Sequence, residues 1–252
     1  MEETRAPLCT PFFPAGEPPG SPAPLPSRAG NLPVSAMLYV AAKAPLAGEA
    51  KTRLEPALGP SGAAALYRGF LRDLAARFAD APYPVSWYVA PGAWAELEPL
   101  VGAGWNGVLE QGPGDWTERQ RTLFRDAAGR GERPVVLIAS DSPHLSVETV
   151  GEAFALLEGH DVVLGPVLDG GYYLIGMNGW HDVLAGVGMS TATVLDEIAA
   201  RCRSLGCSLA LLEATFDVDV AGDLPRLRRA LEDRADLPWT AAALAAATGG
   251  AR

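Results

Sequence analysis

The chain has 252 residues, with 30 acidic and 20 basic side chains and a formal net charge of −10. That length bounds it to one ordinary globular domain with appendages. The acidic balance argues against nucleic acid or an anionic membrane as partner, because binding to either draws on clustered Lys and Arg.

No run approaches the ~20 apolar residues that span a bilayer. Glu2 and Glu3, followed by prolines, are the opposite of a secretory signal. Cys202 and Cys207 are spaced unlike zinc ligands and Cys9 lies far from both, so a reducing, cytoplasmic setting is expected. Nine of the 22 prolines precede Met37. Proline fixes φ and removes a backbone donor, so residues 1–36 read as a disordered leader, with translation from Met37 as an expectation. Residues 37–236 read as the folded domain and 237–252 as a C-terminal tail.

From Met37 onward, strands and helices alternate. Residues 37–42 form a buried strand, and Tyr67, Phe70, Leu71, Leu74 and Phe78 recur at helical spacing over 61–78. A strand follows at 85–89. Thr117 with Gln120 is a capping-box pattern opening a helix that ends near Gly129. The aliphatic run 135–139 is the type that occupies the middle of a parallel sheet covered on both faces. Helices at 146–157, 191–205 and 224–231 and strands at 162–164, 172–175 and 208–212 complete the pattern. The expected fold is an open, mostly parallel, doubly wound sheet, whose ligands bind beyond the carboxyl ends of the strands.

Four polar clusters follow those strands. The loop from Lys43 to Leu54 carries Lys43, Lys51 and Arg53 beside Gly48, a cradle suited to a polyphosphate, although it is not a Walker A loop; a solvated loop has the same composition. Asp141, just past the most apolar strand, stands where a water-rich Mg²⁺ or Mn²⁺ site needs one or two carboxylates; a helix cap is the plainer role. In Phe216-Asp217-Val218-Asp219, the two aspartates are expected on opposite sides of an extended segment, so that one faces a given metal. Asp141 with Asp219 is the favoured pair, and Asp223 reads as a first-turn acid of the next helix. Asp169-Gly170-Gly171 is first a tight turn, and Asp169 also suits a pocket wall.

The strings AKAPLAGEAKTRLEPALG, GPGDWTERQ, VVLIASDSPHL, DVVLGPVLDGGYYLIG and DVDVAGDL, in this order, resemble a bacterial family of GT-A-like nucleotide-diphospho-sugar transferases. The family was formerly a domain of unknown function, and its members often carry an arsenosugar-biosynthesis glycosyltransferase label. The resemblance spans roughly Met37 to Leu231. It implies a single-domain GT-A-like fold, a nucleotide-phosphate site at Lys43, Lys51 and Arg53, a divalent metal at Asp141 with Asp219 as second ligand, and base contacts near Gln111. The chain departs from the family at Ala139-Ser140-Asp141-Ser142-Pro143, where Gly-Thr-Asp-Cys-Pro is usual, and at Trp116-Thr117, where Leu-Gly is usual.

The expected activity is metal-dependent glycosyl transfer from a nucleoside-diphosphate sugar to a small-molecule acceptor. Mg²⁺ or Mn²⁺ would sit on Asp141 and Asp219, and Asp169 would be the base. The alternative is a nucleotidyltransferase of the phospholactate guanylyltransferase type, joining an NTP to a phosphorylated acceptor and releasing pyrophosphate. A catalytically silent binding protein is the third class. Donor sugar, acceptor, stereochemical outcome and oligomeric state are not readable from the chain.

Overall fold

Among the described residues, seven strands build one mixed sheet: β1 (Met37–Ala42), β2 (Val85–Val89), β3 (Gly107–Glu110), β4 (Val135–Ala139), β5 (Val162–Pro166), β6 (Tyr172–Met177) and β7 (Leu209–Leu211). The computed structural model describes residues 36–249 apart from Ser190 and Asp233. The expected leader therefore lies outside the described residues, save Ala36. Spatial order is β3-β2-β1-β4-β6-β5-β7. All pairings are parallel except those of β6, which runs antiparallel to β4 and β5. This is the expected mostly parallel α/β sheet, with one reversed strand.

The order of the strands explains where a ligand can go. The chain moves outward from β1 through β2 to β3, then returns to place β4 on the other side of β1. Where the order reverses, the loops after β1 and β4 diverge and leave a crevice beyond the strand ends. The 43–54 loop follows β1, and Ser140 and Asp141 follow β4.

Side-chain alternation sends the central strands into two cores. Leu38, Val40, Val136 and Ile138 enter one, whereas Tyr39, Ala41, Val135 and Leu137 enter the other. Both faces are dry, and that is why these strands read as continuous apolar runs. The first core is covered by α1 (Glu55–Phe78), α2 (Trp94–Val101) and α4 (Val147–Leu156), the second by α3 (Trp116–Gly129) and α5 (Val194–Leu205). A helix α6 (Leu224–Glu232) follows the last strand.

Several boundaries moved for physical reasons. Helix α1 begins at Glu55, with Gly59 at φ 68° before Pro60 making a kink, so the regular part starts at the expected Ser61. The cap of α3 is Asp115, whose Oδ1 accepts from Glu118 N at 2.9 Å. Thr117 instead lies inside the helix, its hydroxyl donating to the Val187 carbonyl. Strand β3 and helix α2 were not expected. An edge strand of four residues, with alternating burial, leaves little apolar signal. Residues 237–249, read as tail, contain helix α7 (Pro238–Gly249) packed on α1. The buried Asp73 carboxylate of α1 accepts from Thr240 N at 2.7 Å and Trp239 N at 3.3 Å, capping it. Its alanine-rich sequence buries only Thr240 and Leu244, too few for a periodic pattern.

Candidate functional site

A cleft of about 320 Å³ opens beyond the carboxyl end of β4, on the face that carries Leu137. Alternation past the strand sets Ala139 and Asp141 on the same side as Leu137, and all three line the cleft. The wall opposite is the segment after β7, which brings Asp217 and Asp219. Val218 between them is buried, and its N–H donates to the Asp141 carbonyl at 3.0 Å. One backbone bond thus fixes the two acidic loops against each other. Ser142 adds to it by donating to the Phe216 carbonyl, and the His144 ring stacks on Phe216 at 4.1 Å.

Asp217 and Asp219 do not project to opposite sides as expected. Residues two apart in an extended segment share a side, and the residue between them is the one that turns inward. Here that residue is Val218, so both carboxylates face the cleft.

Lys51 is the centre of the site's electrostatics. Its backbone, at φ 54°, is the one non-glycine position with positive φ among the described residues. This left-handed turn opens the 52–54 helical turn and aims the side chain back beneath the β4 loop. The ammonium lies 2.6 Å from Asp141 Oδ1 and 3.4 Å from Asp219 Oδ1, with the side chain 1% exposed. Arg53 Nη1 donates to the other Asp219 oxygen at 2.8 Å and remains largely exposed at the rim. Asp223 accepts from the N–H groups of Asp219 and Val220. It therefore shapes the turn and opens the following helix, the role read for it.

The remaining expected residues fall differently. Lys43 is exposed after β1, its N–H bonded to the Tyr67 hydroxyl, and is not among the residues lining the cleft. Gln111 is buried with both ends of its amide engaged, donating to the Tyr88 carbonyl and accepting from Arg119. It too is absent from the cleft wall. Asp169 lines the cleft, is exposed, and accepts from Gly171 N in the expected turn. Of the cleft carboxylates, the one that burial lifts is Asp217: burial, then the Asp169 and Asp141 carboxylates, push it up to about 6.

Among the described residues no group of three or more His, Cys, Asp or Glu converges to hold a metal. A cation here would rest on Asp141 and Asp219, with water and substrate oxygens completing the shell, the usual habit of Mg²⁺. The donor set fits such an ion. Four carboxylates (Asp141, Asp169, Asp217, Asp219) meet two cations (Lys51, Arg53), an excess of two negative charges.

The other half of the cleft is apolar. Trp116 and Gln120, four residues apart on one face of α3, meet Tyr172, Ile175, Met189 and Val194 there. Sequence reading missed this wall. The i, i+4 spacing of Trp116 and Gln120 was the available signal.

Residues 75–191 match the family described as "Uncharacterized protein conserved in bacteria (DUF2064)", which bears out the resemblance to a GT-A-like family of formerly unknown function. Among solved structures the chain is similar to a "putative nucleotide-diphospho-sugar transferase" from Desulfovibrio desulfuricans G20, 27% identical, with a TM-score of 0.76 over 83% of this chain and 96% of that one. It is also similar to a nucleotidyl transferase from Methanothermobacter thermautotroptrophicus, 16% identical, TM-score 0.54, covering 79% and 99%. A third is the 4-diphosphocytidyl-2C-methyl-D-erythritol synthase of Anaerococcus prevotii DSM 20548, 9% identical, TM-score 0.54, covering 79% and 97%. These last two speak for the fold alone. No curated protein matches the chain. The chain is of the transferase class and has the nucleotide-diphospho-sugar transferase fold. No helix among the described residues is long and apolar enough to cross a membrane.

Proposed function

We propose that the protein is a divalent-metal-dependent glycosyltransferase that uses a nucleoside-diphosphate sugar as donor. The observation that carries this reading is the convergence, at the reversal of strand order, of Asp141 and Asp219 with Lys51 and Arg53 around one cleft. Asp141 and Asp219 would hold Mg²⁺ or Mn²⁺, which when bound stabilises charge on a departing diphosphate. Arg53, at the rim, offers a planar fork to the same phosphates, and Lys51 contributes fixed positive charge beneath them. Lys43, exposed on the neighbouring loop, is available to the nucleotide's outer phosphate. Gln111 takes no part, because its amide is already engaged.

The acceptor hydroxyl needs a base with a pKa near the working pH. Asp169 was the expected base. Asp217 suits the task better, being more enclosed and lifted toward neutrality, with Asp169 as one source of the lift. The acceptor oxygen then attacks the anomeric carbon, its proton passes to Asp217, and the nucleoside diphosphate leaves with the bonding electrons.

The test separates glycosyl transfer from nucleotidyl transfer. The protein is incubated with Mn²⁺ and separate pools of nucleotide sugars and NTPs, the NTP pool also given phosphorylated co-substrates, and both nucleoside diphosphate and pyrophosphate are assayed. Slow release of nucleoside diphosphate from a nucleotide sugar is expected even without acceptor. Pyrophosphate without nucleoside diphosphate would overturn the proposal in favour of nucleotidyl transfer.

A further inference from the structure

Gln120 is fully buried, lines the cleft, and is only half satisfied. Its Oε1 accepts from the Tyr172 hydroxyl at 2.9 Å, while its Nε2 has no partner among the described residues. A hydroxyl can donate or accept, so turning the amide over would still leave one end unmatched. Among the described residues, of the buried side-chain polar atoms lacking a partner this one alone belongs to the cleft wall. A buried amide hydrogen left without an acceptor is destabilising, because it has given up water and gained no partner. Such a group in a cleft is a reason to look for the ligand oxygen that would accept from it.

The surroundings restrict what that ligand can be. Trp116, Tyr172, Ile175 and Met189 present ring and aliphatic surface around Gln120. The half-buried indole of Trp116 offers the ligand an apolar plane. The site's cations, Lys51 and Arg53, stand with Asp141 and Asp219 at the carboxylate end, and among the described residues no further Lys or Arg lines the cleft. Both cations are claimed by the donor's diphosphate, so a second phosphorylated or carboxylated group would meet the cleft's four carboxylates with no cation of its own.

We propose that the Trp116–Gln120–Tyr172 end of the cleft is the acceptor subsite and that it takes an uncharged, hydroxyl-bearing molecule with an apolar face, its oxygen accepting from the Gln120 amide. This rests on the reading that the carboxylate end holds the donor. It excludes the phosphorylated acceptor that the nucleotidyltransferase alternative requires.

The experiment uses the full chain with phenyl β-glucoside and methyl β-glucoside as neutral probes and glucose 6-phosphate as the charged one, followed by saturation-transfer NMR titration. UDP binding with Mn²⁺ is measured in the same samples. A neutral probe should bind at least tenfold more tightly than the phosphate. Gln120→Met, which keeps side-chain length without the amide, should weaken it at least fivefold while leaving UDP binding unchanged. If Gln120→Met fails to unfold cooperatively, Trp116→Ala on the more open wall must give the same selective loss. Equal or tighter binding of glucose 6-phosphate, an unchanged neutral-probe affinity in the variant, or no transfer to either neutral probe would each overturn the proposal. Loss of UDP binding in the unmodified chain with the neutral probe retained would instead sink the donor reading and leave the subsite standing.

Discussion

Replacing Asp141 with Asn isolates the Lys51 charge that the acidic loops enclose. The Lys51 side chain is 1% exposed and its ammonium is 2.6 Å from Asp141 Oδ1, whereas the Asp141 side chain is 35% exposed. Unit charges at that separation attract by about 6 kcal/mol at an effective dielectric near 20. Water reaching the carboxylate screens most of this. Removing one partner of a fully buried pair costs about 3–5 kcal/mol, but here Asp219 remains 3.4 Å from the ammonium. The expected cost of Asp141→Asn is therefore about 2 kcal/mol, or roughly 4–8 °C in Tm for a domain of this size. In a Lys51→Met background the same change should be neutral or stabilising, because the carboxylates left behind repel each other. Urea unfolding of the four proteins without added metal gives a coupling energy, expected to be about 1.5 kcal/mol or more. If the two single effects add within about 0.5 kcal/mol, Asp141 does not hold the Lys51 charge and the reasoning is refuted.

Asp219→Asn should weaken Mn²⁺-dependent nucleotide binding in calorimetry, whereas Asp223→Asn should mainly cost stability of about 0.5–2 kcal/mol through the lost cap; the reverse ranking would transfer the ligand role to Asp223. Asp217→Asn should abolish nucleoside diphosphate release, while Asp169→Asn, by removing a neighbouring negative charge, should move the acidic limb of the pH–rate profile to lower pH. An unmoved limb would show that Asp217 is not the titrating base. Burial, with Arg234 and Arg77 nearby, pushes His144 down from 6.5 to about 4. Between those values the unfolded chain binds the proton and the native one does not, so stability should fall by up to about 3 kcal/mol as pH drops from 6.5 to 4. The raised Asp217 pulls in the opposite direction, so the contrast with His144→Gln, whose curve should lack the His144 slope, is the measurement that decides it.

What could be read in advance depended on how much a residue's surroundings are imposed by its own chain neighbours. Strands 85–89 and 135–139 were legible to the residue because burial on both faces demands uninterrupted β-branched and aliphatic side chains. Strand β3 was not, being an edge strand with Val108 42% exposed. That Lys51, Arg53, Asp141 and Asp219 would lie close together was legible because strand-end loops converge at the reversal of strand order, a property of topology. That Lys51 would pair with the carboxylates, and not simply wait for phosphate, depends on one left-handed backbone turn that composition does not announce. Gln111 was singled out by the family resemblance alone, and the partners that tertiary packing gives it, Tyr88 and Arg119, are not announced by its own chain neighbours. Gln120 was seen only as part of a capping pattern, since helix periodicity cannot tell a cleft-facing residue from a core-facing one.

The Asp169-Gly170-Gly171 turn joins these two levels, because its glycines look alike in sequence and differ in the fold. Gly170 has φ +94°, and a Cβ there would stand 2.1 Å from the Ala192 carbonyl oxygen and 2.9 Å from its Cα. Its own carbonyl accepts from Leu195 N at 3.1 Å. Gly170 is thus the close backbone approach that seats Thr191 and Ala192 in the cleft wall. Gly171 has no positive φ, and its Cβ would meet only Val167 Cγ2 at 3.2 Å and Asp169 Oδ1 at 3.4 Å, side-chain atoms that can give way. Gly170→Ala combines an unfavourable backbone region, costing about 1–3 kcal/mol, with overpacking against main chain, about 1–3 kcal/mol more. Gly171→Ala incurs only a mild version of the second. Thermal unfolding should therefore rank Gly170→Ala well below Gly171→Ala. Neutral-probe binding should fall more in Gly170→Ala, because the displaced 191–192 backbone is part of the wall beside Met189. If Gly171→Ala proves the more damaging of the two, the 191–192 segment is not held through Gly170, and the shape assigned to the acceptor end of the cleft is wrong.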